Sequence, residues 1–117
     1  MKISSILELD CRLEENKEKL QKVLKMIKPL SRYDGDVPME SLEKVAFGVM
    51  RKYEISIAKI SPSPFANSKE TTWHASIFSG KKCLYLSEVY GASLYEVMSK
   101  TVIFMYSKVK SGELKER

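Results

Sequence analysis

The residues able to do chemistry are few and scattered. The single histidine, His74, stands in an alternating stretch beside Trp73, with no acidic or cysteine neighbour at ligand spacing. A general base needs a partner within hydrogen-bond reach, so His74 reads as a solvent-face strand residue. The two cysteines, Cys11 and Cys83, lie far apart, with no CxxC pair and no Cys/His cluster. They fit reduced thiols better than a disulfide framework. Lys81 and Lys82 precede Cys83 and would lower its thiol pKa, but without a nearby histidine it reads as structural. Glu14, Glu15 and Glu18 share a solvated helix face with lysines and make no paired-carboxylate site. No GxSxG, P-loop, HExxH or GxGxxG occurs. The expectation is a non-enzyme without metal or cofactor.

The aromatic residues offer a second kind of chemistry. Tyr33, Tyr53, Trp73, Tyr85, Tyr90, Tyr95 and Tyr106 are interleaved with basic residues, as in Lys52-Tyr53 and Lys81-Lys82 close to Tyr85. A sheet face carrying aromatics and a basic rim stacks single-stranded bases. Lys59, Lys69, Lys81, Lys82 and Tyr85 are the candidate contacts to nucleic acid or another partner. The plainer reading of the same aromatics is core and edge packing. Net charge is +5, unevenly spread: residues 1–43 carry 8 Lys/Arg and 9 Asp/Glu, residues 44–117 carry 12 and 6. A basic second half suits nucleic acid or an acidic partner, and equally a solubilising lysine surface.

These residues need a scaffold, and 117 residues suffice for one domain with a real core. The stretch 93–111 organises it. Ser93 and Glu96 have capping-box spacing, and Leu94, Val97, Met98, Thr101, Val102, Met105 and Val109 recur at helical intervals. Ile103, Phe104 and Tyr106 add apolar surface on the other sides, so this helix needs cover on more than one face. Glu96, Ser99, Lys100, Ser107 and Lys108 argue against a membrane span. Upstream, residues 1–30 read as a long helix, with Ser5 and Glu8 as a second capping box. Ile6, Leu9, Leu13, Asn16 and Leu20 head a seam of alternating three- and four-residue steps. That seam packs within the chain or pairs across a homodimer with Asn16 setting register, so these five residues are the self-association candidates.

A loop with the turn signal Asp34-Gly35 leads to Pro38, which suits the first position of a helix over 38–52. Its stripe is Leu42, Val45, Ala46, Val49 and Met50, and Gly48 weakens it or permits a close helix crossing. Alternation follows over 53–90 in three strands. Tyr53, Ile55 and Ile57 share a face, with Ile60 after a phase slip. A proline-containing loop spans 61–69. Trp73, Ala75 and Ile77 oppose His74, Ser76 and Phe78; a hairpin turn follows at 79–82; then Leu84 and Leu86 oppose Cys83, Tyr85 and Ser87. Gly112 stops the last helix, leaving 113–117 as a frayed tail. The fold expected is α+β, ordered α-α-β-β-β-α: a three-stranded antiparallel meander covered by the C-terminal helix, with a long N-terminal helix. The N-terminus has no signal-peptide pattern, so a cytoplasmic protein without membrane attachment is expected.

From Pro38 onward the order α-β-β-β-α resembles a double-stranded-RNA-binding domain. That family places a basic cluster at the start of its last helix. The matching stretch here, Ser93 to Lys100, has only Lys100 as a base, with Glu96 of opposite sign, so no RNA-contact residues carry over. The sequence also resembles small phage and prophage proteins of Gram-positive bacteria. The resemblance rests on the lysine-rich N-terminal segment, on Trp73-His74-Ala75-Ser76-Ile77, and on Val89-Tyr90-Gly91-Ala92-Ser93-Leu94-Tyr95-Glu96 followed by Lys100. It implies a non-enzymatic accessory role in which the protein binds host protein, phage protein or nucleic acid.

Overall fold

A computed structural model describes residues 3–62, 73–80 and 84–117, and the side chains from residue 5 onward. The elements are α1 (Ile3–Leu7), α2 (Glu14–Leu24), a 3-10 turn (Lys28–Leu30), α3 (Met39–Lys52), β1 (Ile55–Pro62), β2 (Trp73–Ser79), β3 (Leu84–Gly91) and α4 (Leu94–Ser111). The strands form an antiparallel sheet in the order β1-β2-β3. The fold is α+β, with α4 between the sheet and the other helices: it packs on β2 and β3 and against α1, α2 and α3. The candidate residues Lys69, Lys81 and Lys82, together with Cys83, lie outside the described residues.

α4 is central because its sequence gives it little to show to water. Every residue from Glu96 to Met105 is buried. Ser93 caps it by accepting the Glu96 amide at 3.1 Å, and Gly112 ends it in the left-handed conformation, φ 73°. Val97, Val102 and Met105 are fully buried with Ile55, Ala75, Ile77 and Val89 of the sheet and with Leu42 and Ala46 of α3. Burial stabilises each of the larger side chains by roughly 1.5–3 kcal/mol.

The continuous helix expected over 1–30 is not formed. Helix stops at Leu7 and resumes at Glu14, because polar groups in between take local partners instead of helical ones. The Asp10 carboxylate accepts from the Arg12 backbone amide at 3.1 Å and from Arg12 Nε at 2.9 Å. Asn16 Nδ2 donates to the Asp10 carbonyl at 2.9 Å. Ser5 lies inside α1 and begins no capping box. The break splits the seam. Ile6 and Leu20 are buried in the core, Leu9 packs against it, Asn16 is spent on Asp10, and Leu13 is exposed at the start of α2. The five residues therefore form no single stripe.

The phase slip expected in β1 is present as a bulge between Ile57 and Lys59. Two further expectations change. A second bulge sets Tyr85 opposite Phe78 and Ser87 opposite Ile77. Tyr85 and Ser87 thus face opposite sides of the sheet rather than sharing one. The segment 113–117 is also not frayed. Glu54 N donates to the Lys115 carbonyl at 2.8 Å, and Arg117 N to the Lys52 carbonyl at 2.9 Å. The Arg117 guanidinium reaches the carbonyls of Met50 at 2.6 Å and Ile55 at 3.1 Å. These bonds tie the α3–β1 junction, where two backbone directions must be reconciled. Arg117→Ala is expected to lower unfolding free energy by about 1 kcal/mol, read as a fall in the urea midpoint at unchanged slope.

Candidate functional site

A buried group of ionisable side chains sits where the coil between α1 and α2, the end of β3 and the first turns of α4 converge. Glu96 and Lys100, one helical turn apart, form an ion pair at 2.9 Å with side chains only 6% and 3% exposed. Lys100 Nζ also donates to the Leu9 carbonyl at 2.6 Å and the Tyr90 carbonyl at 3.0 Å. An ammonium has three protons, and here three acceptors take them. Glu96, the third residue of the helix, adds its negative charge to the positive end of the α4 dipole. Its carboxylate also explains Gly91: a Cβ there would stand 2.8 Å from Glu96 Oε2.

Cys11 lies beside this pair, buried, with its thiol toward the Asn16 carbonyl at 3.8 Å. Burial first, then the Glu96 charge, pushes its thiol pKa up to about 11. Asp10 goes the other way: its hydrogen bonds from Arg12 hold its carboxyl down to about 2. Next to them, a cavity of about 380 Å³ is lined by Cys11, Arg12, Gln21, Asp36, Tyr95 and Glu96, among others. Gln21 and Tyr95 are committed elsewhere. Gln21 Nε2 donates to Tyr95 Oη at 2.8 Å, Gln21 Oε1 accepts the Val37 amide at 2.9 Å, and Tyr95 Oη donates to the Val37 carbonyl. The centre holds an ammonium with no spare proton, a thiol protonated at neutral pH and a carboxylate already paired. That arrangement joins α4 to the loops.

The open face of the sheet carries the other sequence candidates. Across its three strands run the rows Ser61–His74–Tyr90, Lys59–Ser76–Glu88 and Ser56–Phe78–Tyr85. Rings pair edge-to-face in the first row, His74 with Tyr90 at 6.1 Å, and in the third, Phe78 with Tyr85 at 5.9 Å. Ser76 Oγ donates to Glu88 at 2.6 Å. Ser61 Oγ and His74 Nε2 are 3.2 Å apart, a hydroxyl–imidazole contact that sequence reasoning missed because the two residues are on different strands. The structure thus brings Lys59 and Tyr85 onto one face. No group of three or more metal-ligating residues occurs among the described residues, and no helix among them is long and apolar enough to cross a membrane.

Two grooves flank α3. One, of about 300 Å³, runs between α3, β1 and the start of α4, and is lined by Met39, Phe47, Met50, Ile57, Ile60 and Met98, with Leu94 at its edge and Glu43 and Lys59 as its charged residues. Phe47 is 52% exposed and Leu94 39%. The other, of about 440 Å³, lies between α3 and the later half of α4, with Lys44, Gly48, Lys52, Tyr53, Tyr106 and three valines among its walls. Of the two readings of Gly48, the close helix crossing does not occur: a Cβ there would meet nothing within 4 Å. Phe47 falls off the apolar stripe of its own helix, which was the available sign that this side of α3 does not face the core.

No protein-family model, no curated protein and no solved structure matches the chain.

Lys100→Met should cost about 3–5 kcal/mol, because it leaves the Glu96 charge buried without its partner. The double variant Lys100→Met with Glu96→Leu should recover part of that loss, seen by chemical denaturation of all three proteins. For Cys11, a thiol pKa above the unfolded value means that the unfolded chain releases its proton first. Stability should therefore be intact below about pH 9 and fall as pH rises through about 11. Cys11→Ser should flatten that decline in urea midpoints measured between pH 8 and 11.

Proposed function

We propose that the protein acts by binding another polypeptide, without chemistry of its own, through the apolar groove between α3 and β1. The observation that carries this reading is a large exposed side chain, Phe47, standing at a cleft walled by Met39, Met50 and Met98. Exposing such apolar surface costs solvation free energy unless a partner covers it. Methionine side chains repack around varied apolar ligands. The charged residues at the groove, Glu43 and Lys59, are of opposite sign, which gives a phosphate backbone no consistent field. An amphipathic helix with apolar anchors one turn apart suits the groove. An accessory protein that occludes a surface of a host complex, as the phage-protein resemblance implies, works by contacts of this kind.

A second reading, binding of single-stranded nucleic acid, is favoured by the open sheet face, where Tyr85 and Tyr90 are more than half exposed and Lys59 lies between their rows. It predicts a mobility shift with oligonucleotides at low salt that weakens steeply as salt rises.

The two readings separate by substitution. Phe47→Glu is at an exposed site and should leave the fold intact. A protein retained from source-cell lysate by the wild type should be lost at least tenfold with Phe47→Glu and kept with Tyr85→Ala, with amides of α3 and β1 protected from hydrogen exchange in the complex. If Phe47→Glu captures as well as the wild type, the groove is not the binding surface. If the retained partner is a second copy of this chain, light scattering will show a doubled mass that Phe47→Glu abolishes.

A further inference from the structure

The second groove along α3 differs from the first in charge. Its lining includes Lys44 and Lys52 and no carboxylate. Lys44 makes one solvent-exposed contact outside the groove, with Glu40 at 3.5 Å, and both side chains are more than three-quarters exposed. Such a pair contributes little and gives way readily to a better acceptor. Lys44, Gly48 and Lys52 follow one another at four-residue spacing, so they form one row on the helix. The middle member has no side chain and nothing within 4 Å of where one would begin. A ligand backbone can therefore lie against α3 between the two ammonium groups. Behind the row, Val45, Val49 and Val109 form an apolar floor, and Tyr53 and Tyr106 bring phenol groups.

We propose that this groove binds an acidic peptide segment of the partner. The inference rests on the reading that the protein binds a polypeptide, and it names a chemistry and a surface separate from the Phe47 groove. Charge complementarity selects an anion. The choice of peptide over nucleic acid follows from the walls. Lys52 Nζ already sits over the Tyr53 ring, 5.5 Å from its centre, so that ring face is not open for a base to stack on. The valine floor suits an aliphatic side chain set between two carboxylates. Lys44 and Lys52 are eight residues apart, or about 12 Å along the helix axis at 1.5 Å per residue. An extended peptide covers that distance in about four residues. The segment therefore carries acidic residues at positions i and i+4 around an apolar one.

A random peptide library selected on the full-length protein tests this. Enriched sequences should hold two acidic residues four apart, and their binding should weaken between 50 and 300 mM salt, about three- to tenfold by fluorescence anisotropy. Gly48→Gln fills the groove while favouring helix, so it should raise the melting temperature and yet reduce peptide binding at least tenfold. Lys44→Glu with Lys52→Glu should reduce it at least as much, while Phe47→Ser, which adds no charge beside Lys44, should leave it within twofold. Enriched peptides without acidic residues, or unchanged binding to Gly48→Gln, would overturn the proposal. So would a 20-nucleotide oligo-dT that binds more tightly than the peptides and loses affinity with the same lysine substitutions. Loss of peptide binding with Phe47→Ser but not with Gly48→Gln would place the acidic segment in the other groove and overturn this assignment alone.

Discussion

An ammonium group taken out of water must recover its lost hydration from fixed acceptors, and the arrangement around Lys100 follows from that requirement. Burying an unpaired ion costs several kcal/mol even after relaxation. Lys100 meets that cost with one carboxylate and two backbone carbonyls. The acceptors come from three parts of the chain: Glu96 from the same helix, Tyr90 from the end of β3 and Leu9 from the coil after α1. One side chain therefore fixes how the N-terminal segment, the sheet and the central helix meet. Gly91 is held to be small by the same geometry, since Glu96 occupies the space where its side chain would stand. The interruption between α1 and α2 belongs to it as well, because a Leu9 carbonyl committed to Lys100 sits in a turn organised by Asp10.

The groups of this centre take one another and nearby backbone carbonyls as partners. Its charged groups are mutually satisfied, and burial keeps the Cys11 thiol protonated through the neutral range. The proposed recognition surface is the outer side of α3, where Phe47, Lys44, Gly48 and Lys52 are all exposed. The inner face of α3 packs Leu42 and Ala46 against α4, the helix that Lys100 holds in place. A binding surface on a rigid, well-packed helix loses little ordering entropy on association. The interior and the proposed recognition surface are thus linked through α3.

Much of this was legible in the residues. Ser93 and Gly112 bound α4 because capping chemistry is local, and the meander followed from alternating segments separated by turn residues. The bulge at Ala58 showed as a slipped phase between Ile57 and Ile60. The split N-terminal helix was not legible. Its three- and four-residue spacing is what a continuous helix would carry, and the Asp10 turn and the reach of Lys100 to Leu9 depend on tertiary contacts. Lys100 was hidden for a related reason. Glu96 and Lys100 at i, i+4 look the same in sequence whether the pair is solvated or buried, and only the apolar residues on all sides of them hinted at burial. The grooves arise where α3 meets β1 and α4. Only Phe47, apolar yet off its helix's stripe, and Gly48 inside the helix pointed to them.

The state of the Lys100 ammonium tests the account most directly. In nitrogen-15-edited proton NMR of the full chain at neutral pH, a charged amine with all three protons held by buried acceptors exchanges with water slowly. A resolved Lys100 Nζ ammonium signal at 25 °C is predicted, protected far beyond the surface lysines and lost on chemical unfolding. A Lys100 signal that exchanges as fast as those of the exposed lysines, or one with the shift of a neutral amine, would contradict it.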